Sequence, residues 1–142
     1  MSADVAFALD PQLQADTQPV GDLLFSRVLL MDDARFPWLI LVPRIAGLRE
    51  LIELSADDQK RLLDDINRAA HVLHAIENPD KLNIAMLGNV VSQFHVHVIA
   101  RFARDAAWPK PVWGVGERTR YSAYELRRYA DEMAVALQLR AS

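Results

Sequence analysis

The segment Gln93-Phe94-His95-Val96-His97-Val98-Ile99 alternates polar and apolar side chains along the chain. Successive side chains of a strand point to opposite faces, so the pattern predicts that the three polar residues share one face. The apolar residues between them are then expected to enter a core. Neighbours on one face of a strand lie roughly 6.6 Å apart, from a rise of about 3.3 Å per residue. Two imidazoles and one amide at that spacing could address a single phosphate chain.

The apolar neighbours of these polar residues indicate what kind of surface they face. A buried polar group without a partner costs about 1–3 kcal/mol, so three of them would destabilise a dry core. We therefore expect this face to line a cleft. The other interpretation is that His95 and His97 are ordinary hydrogen-bonded residues of a half-exposed strand, because a His-x-His spacing alone is not specific.

Hydrophobic patterns along the rest of the chain predict an α+β fold with a mainly antiparallel sheet. Strands are predicted at residues 23–31, 38–42, 82–87 and 90–101. The polar break between the first two strands is short, which favours a hairpin. The first twenty residues predict a short helix or an irregular lead-in, and residues 106–120 predict an ordered loop without regular structure.

Two helices are predicted from their capping residues. Ser55 and Ser122 are each followed three residues later by an acidic residue, which is the pattern of a capping box. Apolar residues between Leu62 and Ile76 recur at three- and four-residue spacing, so the first helix buries one face. The second helix is predicted at about residues 123–140.

Length and composition favour one domain that spans residues 1–142. The chain has 142 residues, of which 51% are hydrophobic, so a sizeable core needs no disulfides. It contains no cysteine, which excludes disulfides, zinc-thiolate sites and thiol catalysis. The net charge of −3 argues against a nucleic-acid partner, although a small anion could still bind a local positive site.

Neither the N-terminal residues nor the apolar stretches predict membrane insertion. Met1-Ser2-Ala3-Asp4 lacks the basic and apolar segments of a signal peptide. Stretches such as Val28-Leu29-Leu30-Met31 are far too short to span a bilayer. We therefore expect a cytoplasmic protein without a membrane partner.

Several motifs together resemble the signature of the histidine triad (HIT) family. Gly88-Asn89 precedes the segment 93–99, and both are similar to the family's glycine-amide turn and alternating histidines. Trp38-Leu39-Ile40-Leu41-Val42-Pro43-Arg44 resembles the family's strand that ends in proline and a basic residue. Trp108-Pro109-Lys110-Pro111 is similar to a segment of one branch. The resemblance covers about residues 23–113 and looks closest to bacterial diadenosine polyphosphate hydrolases.

The resemblance implies a fold of about five strands, usually a homodimer, and a metal-independent reaction without a cofactor. The middle histidine of the triad, here His95, is the nucleophile that attacks the α-phosphorus of a nucleotide and forms a nucleotidyl-histidine. His97 would bind phosphate and assist charge development. Gln93 stands at the first triad position and joins His95 and His97 in the catalytic set that the resemblance implies. Val90 stands where many relatives carry a hydroxyl residue, and Trp38 where relatives often carry a further histidine. Gln93 cannot relay a proton near neutral pH, so the leaving group must obtain one from His97 or solvent.

The imidazole of His95 suits this chemistry. A free imidazole has a pKa near 6.5 and is largely neutral and nucleophilic at pH 7. It is also a good leaving group from phosphorus, so a covalent route divides one difficult displacement into two easier ones.

Six further residues are candidates for substrate binding: Asp32, Asn83, Gly88, Asn89, Ser92 and Trp108. Asp32 stands where relatives hold a ribose hydroxyl with an acid, but a plain turn residue is an equal alternative. Asn83 could contact ribose or phosphate, or could stabilise a strand end. Backbone N–H groups of the Gly88-Asn89 turn and the Ser92 hydroxyl could donate to phosphate. Trp108, like Trp113, could stack on a base, seal a dimer or pack within its own loop.

Three functions remain open at this point. The first is a nucleotide hydrolase or transferase that acts through His95, and the second is a nucleotide-binding module with little turnover. The third is a metal-dependent enzyme with His95 and His97 as ligands, to which His71 and His74 would have to contribute. A partly exposed helix face explains His71 and His74 better, and the sequence offers no carboxylate or third histidine placed to complete such a site.

Overall fold

Five antiparallel strands form the sheet of this protein in the computed structural model, which describes residues 6–139. The strands are β1 (Thr17–Asp22), β2 (Ser26–Met31), β3 (Trp38–Pro43), β4 (Lys81–Ala85) and β5 (Val96–Arg101). Their order in the sheet is β1-β2-β3-β5-β4, so β1 and β4 are the two edges. The predicted α+β class, the mainly antiparallel sheet and the hairpin of β2 and β3 are confirmed.

Three α-helices accompany the sheet: α1 (Pro11–Asp16), α2 (Ala56–Glu77) and α3 (Ala123–Ala136). The predicted caps are confirmed, since the Ser55 hydroxyl accepts from the backbone N–H of Asp58 and the Ser122 hydroxyl from that of Glu125, both at 3.1 Å. A left-handed residue, Asn78, ends α2 with a φ of 48°.

The two faces of the sheet are covered differently. Helices α2 and α3 pack on one face, where they bury a core that includes Val28, Leu39, Leu41, Phe94, Val96 and Val98. The opposite face carries a second core, to which the N-terminal segment and the loop after β5 contribute Leu13, Ala107 and Val112. The alternation of the 93–99 segment is therefore realised, because its apolar residues Phe94, Val96 and Val98 enter the first core. His97 lies on the second face.

The predicted strand at 90–101 is too long, because only Val96–Arg101 forms β5. The chain before it leaves the sheet, and the backbone N–H of Phe94 donates to the carbonyl of Leu48 instead of to a neighbouring strand, at 2.9 Å. Gly88 contributes to this departure with a φ of 77°, in the left-handed region that favours glycine. His95 and Gln93 therefore belong to the loop that leads into β5.

Other elements also differ from the sequence prediction, among them β4, which was predicted at residues 82–87 and spans Lys81–Ala85. The lead-in holds a strand, β1, which was not predicted because Pro19 and Gly21 break its alternation; a register shift between them shows where the edge is irregular. The strand predicted from residue 23 begins at Ser26, after a turn closed by the N–H of Leu23 donating to the carbonyl of Ser26. Helix α3 ends at Ala136, two residues before Gln138 adopts a left-handed φ of 57°.

Two expectations fall partly on parts of the chain that the structure does not describe. The N-terminal tetrapeptide Met1-Ser2-Ala3-Asp4 lies outside the described residues, as does residue 140, where the last helix was predicted to end. Within residues 6–139, no helix combines the length and apolar character needed to cross a membrane.

Candidate active site

A cleft of about 360 Å³ opens on the sheet face opposite α2 and α3. Its volume lies within the range of small-molecule sites. Helix α1 forms one wall, the loop that precedes β5 forms another, and Trp113 closes a third side. The lining residues are Gln12, Leu13, Asp16, Met31, Ile40, Leu87, Gly88, Asn89, Val90, Val91, His95, His97 and Trp113.

The two histidines lie together in this cleft. His97 is on β5, opposite Ile40 of β3, and His95 directly precedes the strand. Their ring centroids are 4.9 Å apart with the planes at 75°, and the residues are only 7% and 4% exposed, respectively. The sequence prediction that both histidines face one cleft agrees with this placement.

The hydrogen bond of His95 determines which of its nitrogens is free. Nδ1 of His95 lies 2.7 Å from the backbone carbonyl oxygen of Gln93. A carbonyl can only accept, so Nδ1 carries the proton and donates it. In the neutral ring, Nε2 then keeps an unshared electron pair. His95 thus presents a nucleophilic nitrogen whose orientation is set by the backbone.

His97 has the opposite arrangement. The indole N–H of Trp38 donates to Nδ1 of His97 over 3.0 Å, and an indole nitrogen can only donate. Nδ1 of His97 is therefore the acceptor, and Nε2 carries the proton of the neutral ring. Burial, followed by the positive charge that His95 carries when protonated, lowers the pKa of His97 to about 3. His97 is a neutral hydrogen-bond donor near pH 7.

Tryptophan side chains enclose this pair on one side. The ring of Trp113 stands edge-on to His97 at 4.9 Å and edge-on to Trp38 at 5.8 Å. Trp38 is buried, whereas Trp113 remains 36% exposed at the rim of the cleft. Of the three uses left open for Trp113, a wall beside a bound ligand fits its position in the cleft.

The structure brings two of the six substrate-binding candidates into the cleft, Gly88 and Asn89. They form the turn between β4 and the histidine loop. Asn89 is exposed, so its amide is free to meet a ligand from the solvent side. Val90, at the position where many relatives carry a hydroxyl residue, is 94% exposed and also lines the cleft.

The other four candidates lie elsewhere. Both carboxylate oxygens of the buried Asp32 accept bonds from the loop before α3, one from Arg120 and one from the N–H of Tyr121, each at 2.9 Å. Oδ1 of Asn83 accepts from buried Arg101 at 2.8 Å. Asp32 therefore fits the alternative of a turn residue, and Asn83 fits the alternative of a residue that stabilises a strand end.

Ser92 and Trp108 are also outside the residues that line the cleft. Ser92 is exposed. Trp108 is 39% exposed, and its ring packs on the guanidinium group of Arg101 at 5.8 Å. Its position therefore fits loop packing or a protein contact better than base stacking in this cleft.

The side chain of Gln93, the first residue of the alternating segment, points away from the two histidines. Its Oε1 accepts from the backbone N–H of Asp10 and its Nε2 donates to the carbonyl of Ala8, both at 2.8 Å. Among the described residues, the hydrogen bond that joins Gln93 to the histidine pair comes from its backbone carbonyl.

Metal ligation finds no support among residues 6–139. No group of three or more His, Cys, Asp or Glu side chains in that range could hold an ion. His71 and His74 are exposed on α2, on the other side of the sheet from the cleft.

Sequence reasoning missed the wall formed by α1. Gln12, Leu13 and Asp16 carry no motif, and their approach to the histidines depends on contacts between segments more than eighty residues apart in the chain. The hydrogen bond from the indole N–H of Trp38 to Nδ1 of His97 was also missed. The replacement of an expected histidine by Trp38 was the only signal that could have pointed to it.

Known proteins with the same architecture identify the family. The model of the histidine triad (HIT) domain matches residues 12–104, a range that includes all five strands and both histidines of the cleft. A histidine triad protein from Bradyrhizobium japonicum is 45% identical, with 94% of this chain and 97% of that chain covered and a TM-score of 0.87. This chain therefore belongs to the HIT family.

Two further solved structures support the assignment. A histidine triad protein from Sinorhizobium meliloti 1021 is 42% identical over 92% of this chain and 96% of its own, with a TM-score of 0.88. One from Marinobacter aquaeolei VT8 is 39% identical over 96% of this chain and 100% of its own, with a TM-score of 0.89. None of the curated proteins compared with this chain matches it.

Proposed function

We propose that this protein is a metal-independent nucleotide hydrolase or nucleotidyl transferase that acts through a covalent nucleotidyl-histidine at His95. Its substrate is a (di)nucleoside polyphosphate or a related nucleotide conjugate, attacked at the α-phosphate. HIT proteins are commonly nucleotide hydrolases or transferases. The observation that carries the proposal is the pair of opposite tautomers in one cleft: a free electron pair on His95 beside a proton donor on His97.

In the first half-reaction, Nε2 of His95 attacks the α-phosphorus, a nitrogen–phosphorus bond forms, and the bond to the leaving-group oxygen breaks. The ring becomes cationic, and the carbonyl of Gln93 stabilises it through the proton on Nδ1. The Nε2–H of His97 donates to a phosphate oxygen as negative charge develops. The backbone at Gly88 and Asn89 lies in the same cleft and can receive the phosphate chain.

In the second half-reaction, water attacks the same phosphorus and the nitrogen–phosphorus bond breaks. The electron pair returns to Nε2 of His95, and the proton of the water passes to solvent. A different nucleophile in place of water would give nucleotidyl transfer.

The leaving group must depart without strong acid catalysis from the described residues of the cleft. Nδ1 of His97 is engaged by Trp38, so His97 could give up the proton of Nε2 only by becoming an anion. The side chain of Gln93 is bonded to Ala8 and Asp10. An acid anhydride suits these conditions because its phosphate leaving group departs as an anion, whereas an amine must first be protonated. This favours polyphosphates over phosphoramidates.

A homodimer is part of the proposal. The edge strand β4 pairs with β5 on one side only, and Ile84, on this strand, is 46% exposed. Met86 and Leu87, which follow the strand, are 42% and 48% exposed. An apolar edge of this kind is a ready partner for the same edge of a second copy. The neighbouring Trp108 would add apolar surface.

A nucleotide-binding module with little turnover is the second candidate. The missing acid for the leaving group favours it, because binding needs the cleft but not proton transfer. No group of three or more ligating side chains among the described residues supports a metal-dependent enzyme. The cytoplasmic location expected from the sequence stays a prediction.

Turnover and binding measurements in a chelator separate these candidates. We expect calorimetry with AMP and diadenosine tetraphosphate in EDTA to show binding, and chromatography to show release of AMP from the tetraphosphate. Tight binding without release would support the binding module. Binding or turnover that appears only with a divalent ion would contradict the proposal.

A further inference from the structure

The carboxamide of Gln93 holds the N-terminal segment of the chain. Its oxygen accepts from the N–H of Asp10, and its nitrogen donates to the carbonyl of Ala8, each at 2.8 Å. The two bonds span 83 and 85 residues of sequence. They use the donor and the acceptor of one amide together, which an ionised carboxylate cannot do.

This segment continues directly into a wall of the cleft. Asp10 is the N-cap of α1, and its Oδ1 accepts from the N–H of Gln12 at 2.8 Å. Gln12, Leu13 and Asp16 of α1 line the cleft. At the other end of the helix, the carbonyl of Asp16 accepts from the N–H of Asp32 at 3.0 Å. Gln93 therefore holds the N-terminal end of this wall, and the bond from Asp32 holds the other end.

The backbone of Gln93 has a separate task. Its carbonyl accepts the proton from Nδ1 of His95 at 2.7 Å and so sets the tautomer of the proposed nucleophile. A substitution at this position removes the side-chain bonds but leaves that carbonyl in place. The two contributions of Gln93 can therefore be separated by mutation.

We infer that Gln93 is a positioning residue for the nucleotide: its carboxamide holds α1 against the cleft, sets nucleotide affinity, and takes no part in proton transfer. This inference rests on the proposed nucleotide function. It differs from the role that the resemblance gives to the first triad position, where the residue belongs to the catalytic set. If α1 moves away from the cleft, a smaller fraction of the molecules can bind nucleotide. The apparent affinity for nucleotide then falls by the same factor.

The variant that tests this is Gln93→Met, which keeps the length of the side chain and removes both bonds. We expect Kd for AMP and KM for diadenosine tetraphosphate to rise roughly tenfold, from the loss of two hydrogen bonds. We expect kcat to stay within about threefold of the wild-type value. Gln93→Glu can still accept from Asp10, but its second carboxylate oxygen would face the carbonyl oxygen of Ala8, so we expect an effect at least as large.

Hydrogen exchange gives a readout that does not depend on catalysis. We expect backbone amides of residues 8–16 to exchange faster in Gln93→Met than in the wild type. Gln59→Ala is the matched control, because Nε2 of Gln59 also donates to two backbone carbonyls, those of Leu51 at 3.3 Å and Leu54 at 3.2 Å. It should loosen the chain near residue 51 and leave nucleotide affinity unchanged.

The results of these experiments distinguish a positioning role of Gln93 from a direct role in catalysis. A loss of kcat of about 10²-fold or more in Gln93→Met, with KM unchanged, would mean that Gln93 acts on the reacting atoms and would overturn the inference. Unchanged exchange in residues 8–16, or faster exchange with unchanged Kd, would also overturn it. If the wild type binds neither AMP nor diadenosine tetraphosphate, the proposed function fails. Faster exchange in Gln93→Met would then support only the part of the inference in which Gln93 holds α1. Unchanged exchange would refute that part as well.

Discussion

Trp38 donates its indole N–H to Nδ1 of His97 across 3.0 Å, between neighbouring strands of the sheet. The bond exists only while Nδ1 is unprotonated, so it adds to the effect of burial on this histidine. Together they explain why His97 serves as a neutral donor and not as a cation. The residue that replaces an expected histidine thus changes the chemistry of the histidine beside it.

Replacing Trp38 with Phe should raise the pKa of His97 from about 3, because the bond to the neutral ring is lost while burial and the neighbouring His95 remain. Nitrogen NMR of the ring tests this directly. In the wild type, Nδ1 should stay unprotonated and Nε2 protonated between about pH 5 and 8. In Trp38→Phe, the tautomers should mix. A wild-type ring that titrates near its usual pKa of 6.5 would contradict the account.

The choice of leaving group is a second consequence. Because neither His97 nor the side chain of Gln93 can protonate the leaving group, diadenosine polyphosphates should be cleaved with a higher kcat/KM than an adenosine phosphoramidate of an alkyl amine. General acid catalysis typically contributes about 10²–10⁴-fold, so we expect a ratio of at least about 10² at pH 7. Comparable rates for the two substrates would mean that a group in the cleft does protonate the leaving group.

The exposed edge at β4 predicts a dimer at micromolar concentration. Replacing Ile84 with Lys places a charge on this edge and should give a folded monomer, which sedimentation and circular dichroism can show. Leu24→Lys is the control, since Leu24 is 91% exposed in the turn before β2. A wild-type protein that sediments as a monomer, or an Ile84→Lys dimer, would argue against this interface.

Removal of the Asp105 carboxylate should destabilise the loop that carries Trp108. Its carboxylate pairs with Arg101 at 2.8 Å, with the two side chains 4% and 2% exposed, and accepts from backbone N–H groups of that loop. Breaking such a pair costs about 3–5 kcal/mol, so we expect Asp105→Ala to lower the free energy of unfolding by that amount. Arg61→Ala, which breaks the exposed pair with Asp58, should cost at most about 1 kcal/mol.

The effect of Asp105 also has a defined pH dependence. Hydrogen bonds from Arg101 and the backbone outweigh burial and lower the pKa of Asp105 from 3.8 to about 2. A carboxyl group whose pKa is lower in the folded chain than in the unfolded chain stabilises the fold at pH values above the unfolded pKa. This stabilisation is lost as the pH falls through the folded pKa. The difference in unfolding free energy between wild type and Asp105→Ala should therefore narrow between about pH 4 and pH 2. Urea titrations at several pH values would measure it.

Local signals made much of the fold predictable. The caps at Ser55 and Ser122 and the apolar stripe of α2 depend on neighbours three or four residues away, which a sequence displays directly. The alternation around His95 and His97 placed both side chains in one cleft, although it predicted too long a strand. Alternation continues where a chain has already left its sheet, so it cannot mark the boundary.

The contacts that complete the site were not predictable in the same way. The bonds from Gln93 to Ala8 and Asp10 join segments that are adjacent only in the folded chain. Strand β1 is stabilised by pairing with β2 despite Pro19 and Gly21, so its own sequence lacks a strand pattern. Tertiary contacts decide both features, and a single sequence does not display them.

The central claim is that His95 is the nucleophile. His95→Asn should bind AMP with near wild-type affinity and lose turnover by several powers of ten, because no other described group of the cleft offers a free electron pair on nitrogen. His97→Gln should lose less than about 10²–10³-fold, the typical cost of removing a donor to developing charge, because the Gln amide can still donate a hydrogen bond.

The most direct measurement is a rapid quench of the wild-type protein with diadenosine tetraphosphate labelled in the adenosine, followed by mass spectrometry of its peptides at alkaline pH, where a phosphorus–nitrogen bond survives. We predict that adenylate is attached to His95, and that the label is absent in His95→Asn and present in His97→Gln. Label on His97, or wild-type turnover in His95→Asn, would contradict the mechanism.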